Sequence, residues 1–315
     1  MKTKALPKAL SVMALAVLCG CATNVTSSLN SVFSSASGAA SSTGAGSSSM
    51  APSSVASSSE ESTDVPSGYR LDWSDEFDGD GLDSDYWTPL IGNGAGGWGN
   101  NEAEYYTRDN ATVADGLLTI TAKADTTYSG FSYTSARLVT ARKESTTYGY
   151  IEARISLPAV NGMWPAFWML PENGSWPTAG EIDIMENRGS SPWTTSGALH
   201  YANANGHTYN VQTHSFSKRN GEENITGWHT YGLEWTEDEI SWFVDGKDFF
   251  DVPKRTWHPD NGTVYTGDDS APFDAPFHIL LNLAIGGNFD NGTLPPADFA
   301  SCAMKVDYVR VYDAV

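Results

Sequence analysis

Glu181-Ile182-Asp183-Ile184-Met185-Glu186 places three carboxylates in six residues of an otherwise apolar run. Carboxylates resist burial unless they are paired or put to use. Side chains alternate faces along a strand, so Glu181 and Asp183 share one face and Glu186, an odd number of residues on, falls to the other. One extra residue accommodated near Ile184 or Met185 as a β-bulge returns Glu186 to the face of the other two. The stretch therefore predicts a bulged strand with three acids lining one side of a sheet.

The flanking sequence extends this reading to an all-β fold. Leu118, Ile120 and Ala122 alternate with Thr119, Thr121 and Lys123, and Gly149 to Leu157 alternates similarly, the period of half-buried strands. Asp245-Gly246 lies between Ile240-Ser241-Trp242-Phe243-Val244 and Phe249-Phe250, a hairpin signal. His278 to Ile285 is mostly apolar and reads as a central strand buried on both faces. Long helical periodicity is missing. Many short strands with glycine-rich turns predict two stacked antiparallel sheets.

Two glutamates and an aspartate on one strand face suit retaining glycoside hydrolysis, in which one carboxylate attacks the anomeric carbon and another protonates the departing oxygen. The pair must lie about 5–5.5 Å apart. The Cα atoms of Glu181 and Glu186 fall about 13 Å apart along such a strand, a gap that two long side chains leaning together narrow to that range. Like charges crowded together raise at least one pKa, which fits Glu181 as ionised nucleophile, Glu186 as protonated acid and Asp183 as the support of Glu181 through a shared proton or hydrogen bond. The competing readings of an acidic triplet are a solvated edge or a cation site. Aromatic neighbours favour the chemical one: Met163-Trp164-Pro165-Ala166-Phe167-Trp168-Met169-Leu170-Pro171 and Trp176 precede the triplet and Trp193 follows it, and flat rings are what sugars stack on, although aromatics are also core material.

With these residues in view the chain resembles glycoside hydrolase family 16, and within it the laminarinase-like endo-β-1,3-glucanases. The signature is Glu-x-Asp-x-x-Glu at Glu181, Asp183 and Glu186, with the bulged spacing that lichenase-type relatives lack. Further matches follow in order: Trp73-Ser74-Asp75-Glu76-Phe77, Gly97-Trp98-Gly99-Asn100-Asn101-Glu102 with Tyr105-Tyr106-Thr107, Tyr133-Thr134-Ser135-Ala136-Arg137, Leu199-His200-Tyr201 and Val306-Asp307-Tyr308-Val309. The resemblance implies a concanavalin A-like jelly-roll β-sandwich of two curved antiparallel sheets with a concave cleft, and endo action. It implies Glu181 as nucleophile, Glu186 as acid/base and Asp183 between them, with His200 close by. Trp164, Trp168 and Trp176 would be cleft aromatics, and Asn100 and Arg137 hydrogen-bonding groups on the glycone side. It implies no cofactor for catalysis, and a structural Ca²⁺ away from the cleft on the backbone oxygens of Glu76 and Gly116 and the Asp307 carboxylate, hard ligands suited to that ion.

The implied substrate is a neutral β-glucan of the laminarin type, β-1,3-linked or mixed β-1,3/1,4-linked. Ala202-Asn203-Ala204-Asn205-Gly206-His207 is a polar stretch where that family pattern has more glycine, and loops of this kind set linkage preference. An algal galactan of the agar or carrageenan type is the alternative substrate, and a glycan-binding module without turnover the alternative function; a pure binding module has no use for two opposed glutamates. Acidic residues outnumber basic ones 38 to 18, for a formal charge of −20. This opposes nucleic acid and anionic membrane surfaces and gives no encouragement to sulfated glycans.

Lys2, Lys4 and Lys8 precede an apolar stretch from Val12 to Leu18, a secretory signal too short to span a membrane. Leu18-Cys19-Gly20-Cys21 resembles a bacterial lipobox, with cleavage before an acylated Cys21, and Ala22 after it favours the outer membrane or cell surface; the alternative is a secreted protein. The expected organisation is a lipoprotein signal at 1–21, a Ser/Ala/Gly-rich flexible linker at 22–66 and a catalytic domain at 67–315. The only membrane contact expected is the lipid anchor, and the expected state is a monomer. Only Cys302 remains beyond Cys19 and Cys21, so no intrachain disulfide is expected and Cys302 reads as a buried apolar residue.

Overall fold

A computed structural model describes residues 65–203, 206–257 and 271–315. The signal segment, Cys21 and all but the end of the linker lie outside the described residues. The described residues form two sheets, one of seven strands and one of ten. The seven-stranded sheet runs, edge to edge, Gly206–Ser215, Thr194–Asn203, Glu181–Glu186, Met163–Pro171, Phe277–Ile285, Arg137–Val139 and Thr88–Leu90. The ten-stranded sheet is centred on Gly149–Ser156 and the long terminal strand Ser301–Ala314. Pairing is antiparallel except between the short strands Tyr105–Tyr106 and Tyr133–Ser135, which run parallel.

The inner faces of the two sheets bury one continuous apolar core. Leu118, Ile120 and Ala122 are fully buried and their alternating neighbours are not, as the period-two pattern predicts. Asp245 and Gly246 both have positive φ (51° and 68°) and connect Val244 directly to Lys247, the conformation whose twist matches a two-residue hairpin. Phe277–Ile285 is central, lying between Met163–Pro171 and Arg137–Val139, and is buried at every position but His278.

Gly149–Ser156 departs from the half-buried expectation, because only Arg154 and Ser156 keep appreciable exposure. Its outward face is roofed by aromatic side chains: the Tyr150 ring packs on Tyr69, Phe243 and Tyr312, and Glu152 accepts the Tyr308 hydroxyl at 3.2 Å. Cys302 is half-buried rather than fully buried, near the exposed start of its strand. Burial pushes its thiol pKa up to about 12, so it carries no thiolate at neutral pH.

The bulge forms in Glu181–Glu186. Against Met163–Pro171, Asp183 pairs with Trp168 and Met185 with Phe167, leaving Ile184 as the extra residue. Against Thr194–Asn203, Asp183 pairs with Ala198 and Glu186 with Ser196, so Ile184 and Met185 together face Gly197. Hydrophobic burial explains the irregularity: Ile184 and Met185 both turn into the core, at 2% and 0% exposure, and Glu186 is thereby returned to the side of the other acids. The ten-stranded sheet supports this geometry from below. Trp242 Nε1 donates to the Asp183 carbonyl at 2.8 Å, and the indole occupies the space beneath Gly197, where an added Cβ would meet Trp242 Cδ1 at 2.4 Å.

Candidate active site

Glu181, Asp183 and Glu186 form the floor of a cleft on the open face of the seven-stranded sheet, each at most 9% exposed. The bulge accounts for the third member, and it is why three acids spanning an odd spacing share one cavity. Burial of this kind favours the neutral carboxylic acid. It pushes Asp183 up to about 8. Glu186 also rises to about 8, first through burial and then through the Asp183 charge, with His200, the Trp164 hydrogen bond and Arg188 acting in the opposite direction.

Glu186 is oriented by Trp164, whose Nε1 donates to Oε1 at 2.9 Å. The indole is fixed by stacking on Phe289, with centroids 5.0 Å apart and planes at 20°. It lies against Gly287, where an added Cβ would meet the ring at 3.0 Å. On the backbone side, the Glu186 carbonyl accepts the Thr195 hydroxyl at 3.1 Å. Asn187 braces the following loop through Nδ2 contacts to the carbonyls of Ser191 and Thr194.

At the other end of the triplet, His200 is the cross-strand partner of Glu181. Its Nε2 lies 3.3 Å from Asp183 Oδ2 and 3.9 Å from Glu181 Oε1. Its Nδ1 meets His207 Nε2 at 3.0 Å. Tyr209 packs parallel to His200 at 5.5 Å, and Trp176 lies 4.8 Å from the His207 ring, closing that end of the cleft.

A polar wall stands across the cleft. Trp168 Nε1 donates to Asn282 Oδ1 at 2.7 Å, Asn282 Nδ2 to the Tyr106 hydroxyl at 3.3 Å, and that hydroxyl to Glu102 Oε2 at 2.9 Å. Asn100 Nδ2 reaches Glu102 Oε1 at 3.4 Å. The Arg137 guanidinium is sandwiched between Trp98 and Trp168, 4.5 and 4.8 Å from their centroids. Beneath this wall burial, followed by the Glu102 charge, holds Glu104 well above the ordinary carboxylate range, and Glu104 Oε2 accepts the Ile285 amide. Asn100 Oδ1 and Arg137 Nε are buried without a hydrogen-bond partner among the described residues.

The structure thus gathers Glu181, Asp183, Glu186, Trp164, Trp168, Asn100, Arg137 and His200 around one cleft, with Trp176 beside its histidine end. Glu76, Gly116 and Asp307 belong elsewhere. The Glu76 carboxylate is held by Arg310 at 2.8 and 2.9 Å, Asp307 Oδ2 accepts from Arg154 at 2.6 Å, and Gly116 is a turn residue with φ 73°. Sequence reasoning passed over Glu102, Asn282, Phe289, Tyr209 and Trp242 as site components, because only the fold brings them to the acids. His207 carried a signal as the end of an atypical polar stretch, without a role attached to it.

Comparisons with known proteins agree with this geometry. The family model described as "Beta-porphyranase A-D, GH16 domain" matches residues 70–314. The beta-glucanase of Rhodothermus marinus is 41% identical over 268 residues, covering 81% of this chain and 88% of the relative. The glucan endo-1,3-beta-glucosidase A1 of Niallia circulans is 38% identical over 268 residues, and the match covers 78% of this chain but only 38% of that longer protein. The crystal structure of the laminarinase catalytic domain from Thermotoga maritima MSB8 superposes with a TM-score of 0.69 at 35% identity, covering 78% of this chain and 99% of that one.

Proposed function

The chain belongs to glycoside hydrolase family 16, and from that premise we propose that it is a retaining, endo-acting hydrolase of internal β-1,3-glucosidic bonds, with mixed β-1,3/1,4-glucan as a second substrate. The observation that carries the chemistry is the bulge at Ile184, which puts Glu186 on the same face as Glu181. Glu186, protonated at neutral pH, delivers its proton to the glycosidic oxygen while Glu181 attacks the anomeric carbon, giving a glycosyl ester and a free aglycone. Glu186, now a carboxylate, takes a proton from water as the water attacks that carbon, and Glu181 is released with the original configuration at the sugar.

The glucan assignment rests on the names and similarity of the relatives. The matching family model is named for a porphyranase, which makes an algal galactan the reading to test against. The deciding experiment is release of reducing ends from laminarin, lichenan, agarose, carrageenan and porphyran in parallel. Laminarin turnover with internal cleavage is the expected result. Laminarin inertness with galactan turnover overturns the glucan assignment while leaving the hydrolase intact.

The proposal includes export as a lipoprotein acylated at Cys21, with the catalytic domain held at the cell surface on the 22–66 linker as a monomer. The basic-then-apolar leader and the lipobox-like Leu18-Cys19-Gly20-Cys21 support it. Cys21→Ser should move the protein from the membrane to the soluble fraction; unchanged membrane association overturns the anchor. The proposal also includes a structural Ca²⁺ on the backbone oxygens of Glu76 and Gly116 and the Asp307 carboxylate, a hard-oxygen donor set suited to that ion; the Asp307 carboxylate bonds Arg154 at 2.6 Å, a partner that the cation would replace.

A further inference from the structure

His200 and His207 face each other end to end. Their rings lie 12° from parallel with centroids 5.2 Å apart, and the nearest atoms are Nδ1 of His200 and Nε2 of His207 at 3.0 Å. The register explains the pair. His207 is the cross-strand partner of Ala202 and Tyr209 that of His200, so His207 stands diagonal to His200 on the cleft face. A contact of this length between two imidazole nitrogens holds one proton.

Where that proton belongs decides what His200 presents to the acids. If His207 supplies it from Nε2, a neutral His200 carries its own proton on Nε2, beside Asp183; if His200 supplies it from Nδ1, Nε2 offers a lone pair 3.3 Å from Asp183 Oδ2, an atom without a hydrogen-bond partner among the described residues. Other titratable groups around His200 are Glu181 and, farther along the floor, Glu186, with Tyr209 on the adjoining strand and Arg188 across the cleft. Burial, and then the proximity of His200, holds the His207 pKa below its ordinary value, which keeps His207 neutral and its nitrogen available as an acceptor.

We propose that His207 is a positioning residue that fixes the His200 proton on Nδ1, so that Nε2 is free to receive the proton of Asp183 while Glu181 is esterified. This rests on the retaining glycosidase reading of the cleft. In the proposed cycle Asp183 begins as the neutral acid, which its burial favours, beside the Glu181 carboxylate. Ester formation removes that negative charge, and the Asp183 O–H bond then breaks as an N–H bond forms at His200 Nε2. His200 becomes an imidazolium donating to Asp183 and His207, and Asp183 becomes a carboxylate close to the anomeric carbon, where it stabilises the cationic transition state of hydrolysis. When water releases Glu181 as a carboxylate, the proton returns to Asp183. The proton count is unchanged over the cycle.

The test uses His207→Ala and His207→Gln, the second because its amide oxygen can still accept from Nδ1. On laminarin, His207→Ala should lower kcat on the order of tenfold, below the full contribution of a positioned acid–base group, with KM nearly unchanged. His207→Gln should recover most of that loss. ¹⁵N NMR of the unliganded enzyme should show His200 as the Nδ1–H tautomer, shifting toward Nε2–H in His207→Ala alone. An Nε2–H tautomer in the wild type, unchanged kcat in the alanine variant, a loss confined to KM, or no rescue by glutamine overturns the proposal. Wild-type inertness on every polysaccharide would instead remove the functional reading, and the NMR arm still reports the tautomer on its own.

Discussion

Trp242, on the ten-stranded sheet, donates its indole N–H to the carbonyl of Asp183 on the seven-stranded sheet at 2.8 Å. The carbonyl belongs to the residue just before the bulge, where ladder pairing is interrupted. A buried carbonyl left without a donor costs about 1–3 kcal/mol. Trp242→Phe keeps the ring and removes the donor, so it should lower stability by that amount and lower kcat as Asp183 and Glu186 lose their relative placement. Denaturant melts and kinetics on the same preparation check this; a variant with wild-type kcat and stability would show that the bulge stands without the bond.

Gly197→Ala probes the same support from the opposite side. Its Cβ would lie 2.4 Å from Trp242 Cδ1 and 2.6 Å from Nε1, closer than any relaxed contact, so either the indole or the strand must move. The expected loss is about 1–3 kcal/mol, typical of overpacking. The double variant Gly197→Ala/Trp242→Phe should be less than additive because both act on one contact. Strict additivity in a double-mutant cycle would separate the two residues.

These two residues also mark the limit of what was legible in the chain. Apolar period two, the Asp245-Gly246 turn and the odd spacing of three acids are local, and strands, hairpin and bulge follow from them. Which tryptophan lies beneath the bulge depends on how two sheets align, a relation between Trp242 and Asp183 across 59 residues of chain. The same holds for Asn282, which reaches Trp168 over 114 residues. Gly149–Ser156 misleads for a related reason: its alternation is genuine, but tyrosines distant in sequence cover the face that the pattern assigns to solvent.

The two glutamates proposed as nucleophile and acid/base are separable by stereochemistry. Glu181→Ala should lose more than about 10³-fold in kcat, and azide should restore turnover of an activated β-glycoside with an α-azide product, since azide then occupies the position of the nucleophile. Glu186→Ala should be rescued to the β-azide, because the glycosyl ester still forms and azide replaces water. NMR of the azide products is the check, and exchanged anomers would reverse the assignment.

Trp164 tunes the acid. Its N–H bonds the charged form of Glu186 and so lowers the Glu186 pKa, against the larger upward effect of burial. Trp164→Phe preserves a ring to stack on Phe289 and deletes the bond. The Glu186 pKa should rise, and since the first step needs protonated Glu186, the basic limb of kcat/KM should move to higher pH. A limb that moves to lower pH, or stays in place, would assign the indole to substrate contact alone.

Burial of Asp183 and Glu186 also makes stability depend on pH. Both carboxyls have folded-state pKa values of about 8, above their unfolded values near 4. A raised acid binds more protons in the folded state, so its contribution is fully present below about pH 4, declines as pH rises and is lost through about pH 8. Glu186→Gln and Asp183→Asn replace an acid that ionises with an amide that does not. Each should therefore gain stability over the wild type at pH 9 and lose most of that advantage at pH 5, at the expense of activity. Each kcal/mol gained corresponds to about 2–4 °C in Tm for a domain of this size. Differential scanning calorimetry at the two pH values checks the sign. An amide variant whose advantage is the same at pH 5 and pH 9 would mean that the acid is ionised in the folded enzyme throughout this range, and Glu186 could not then serve as proton donor in the first step.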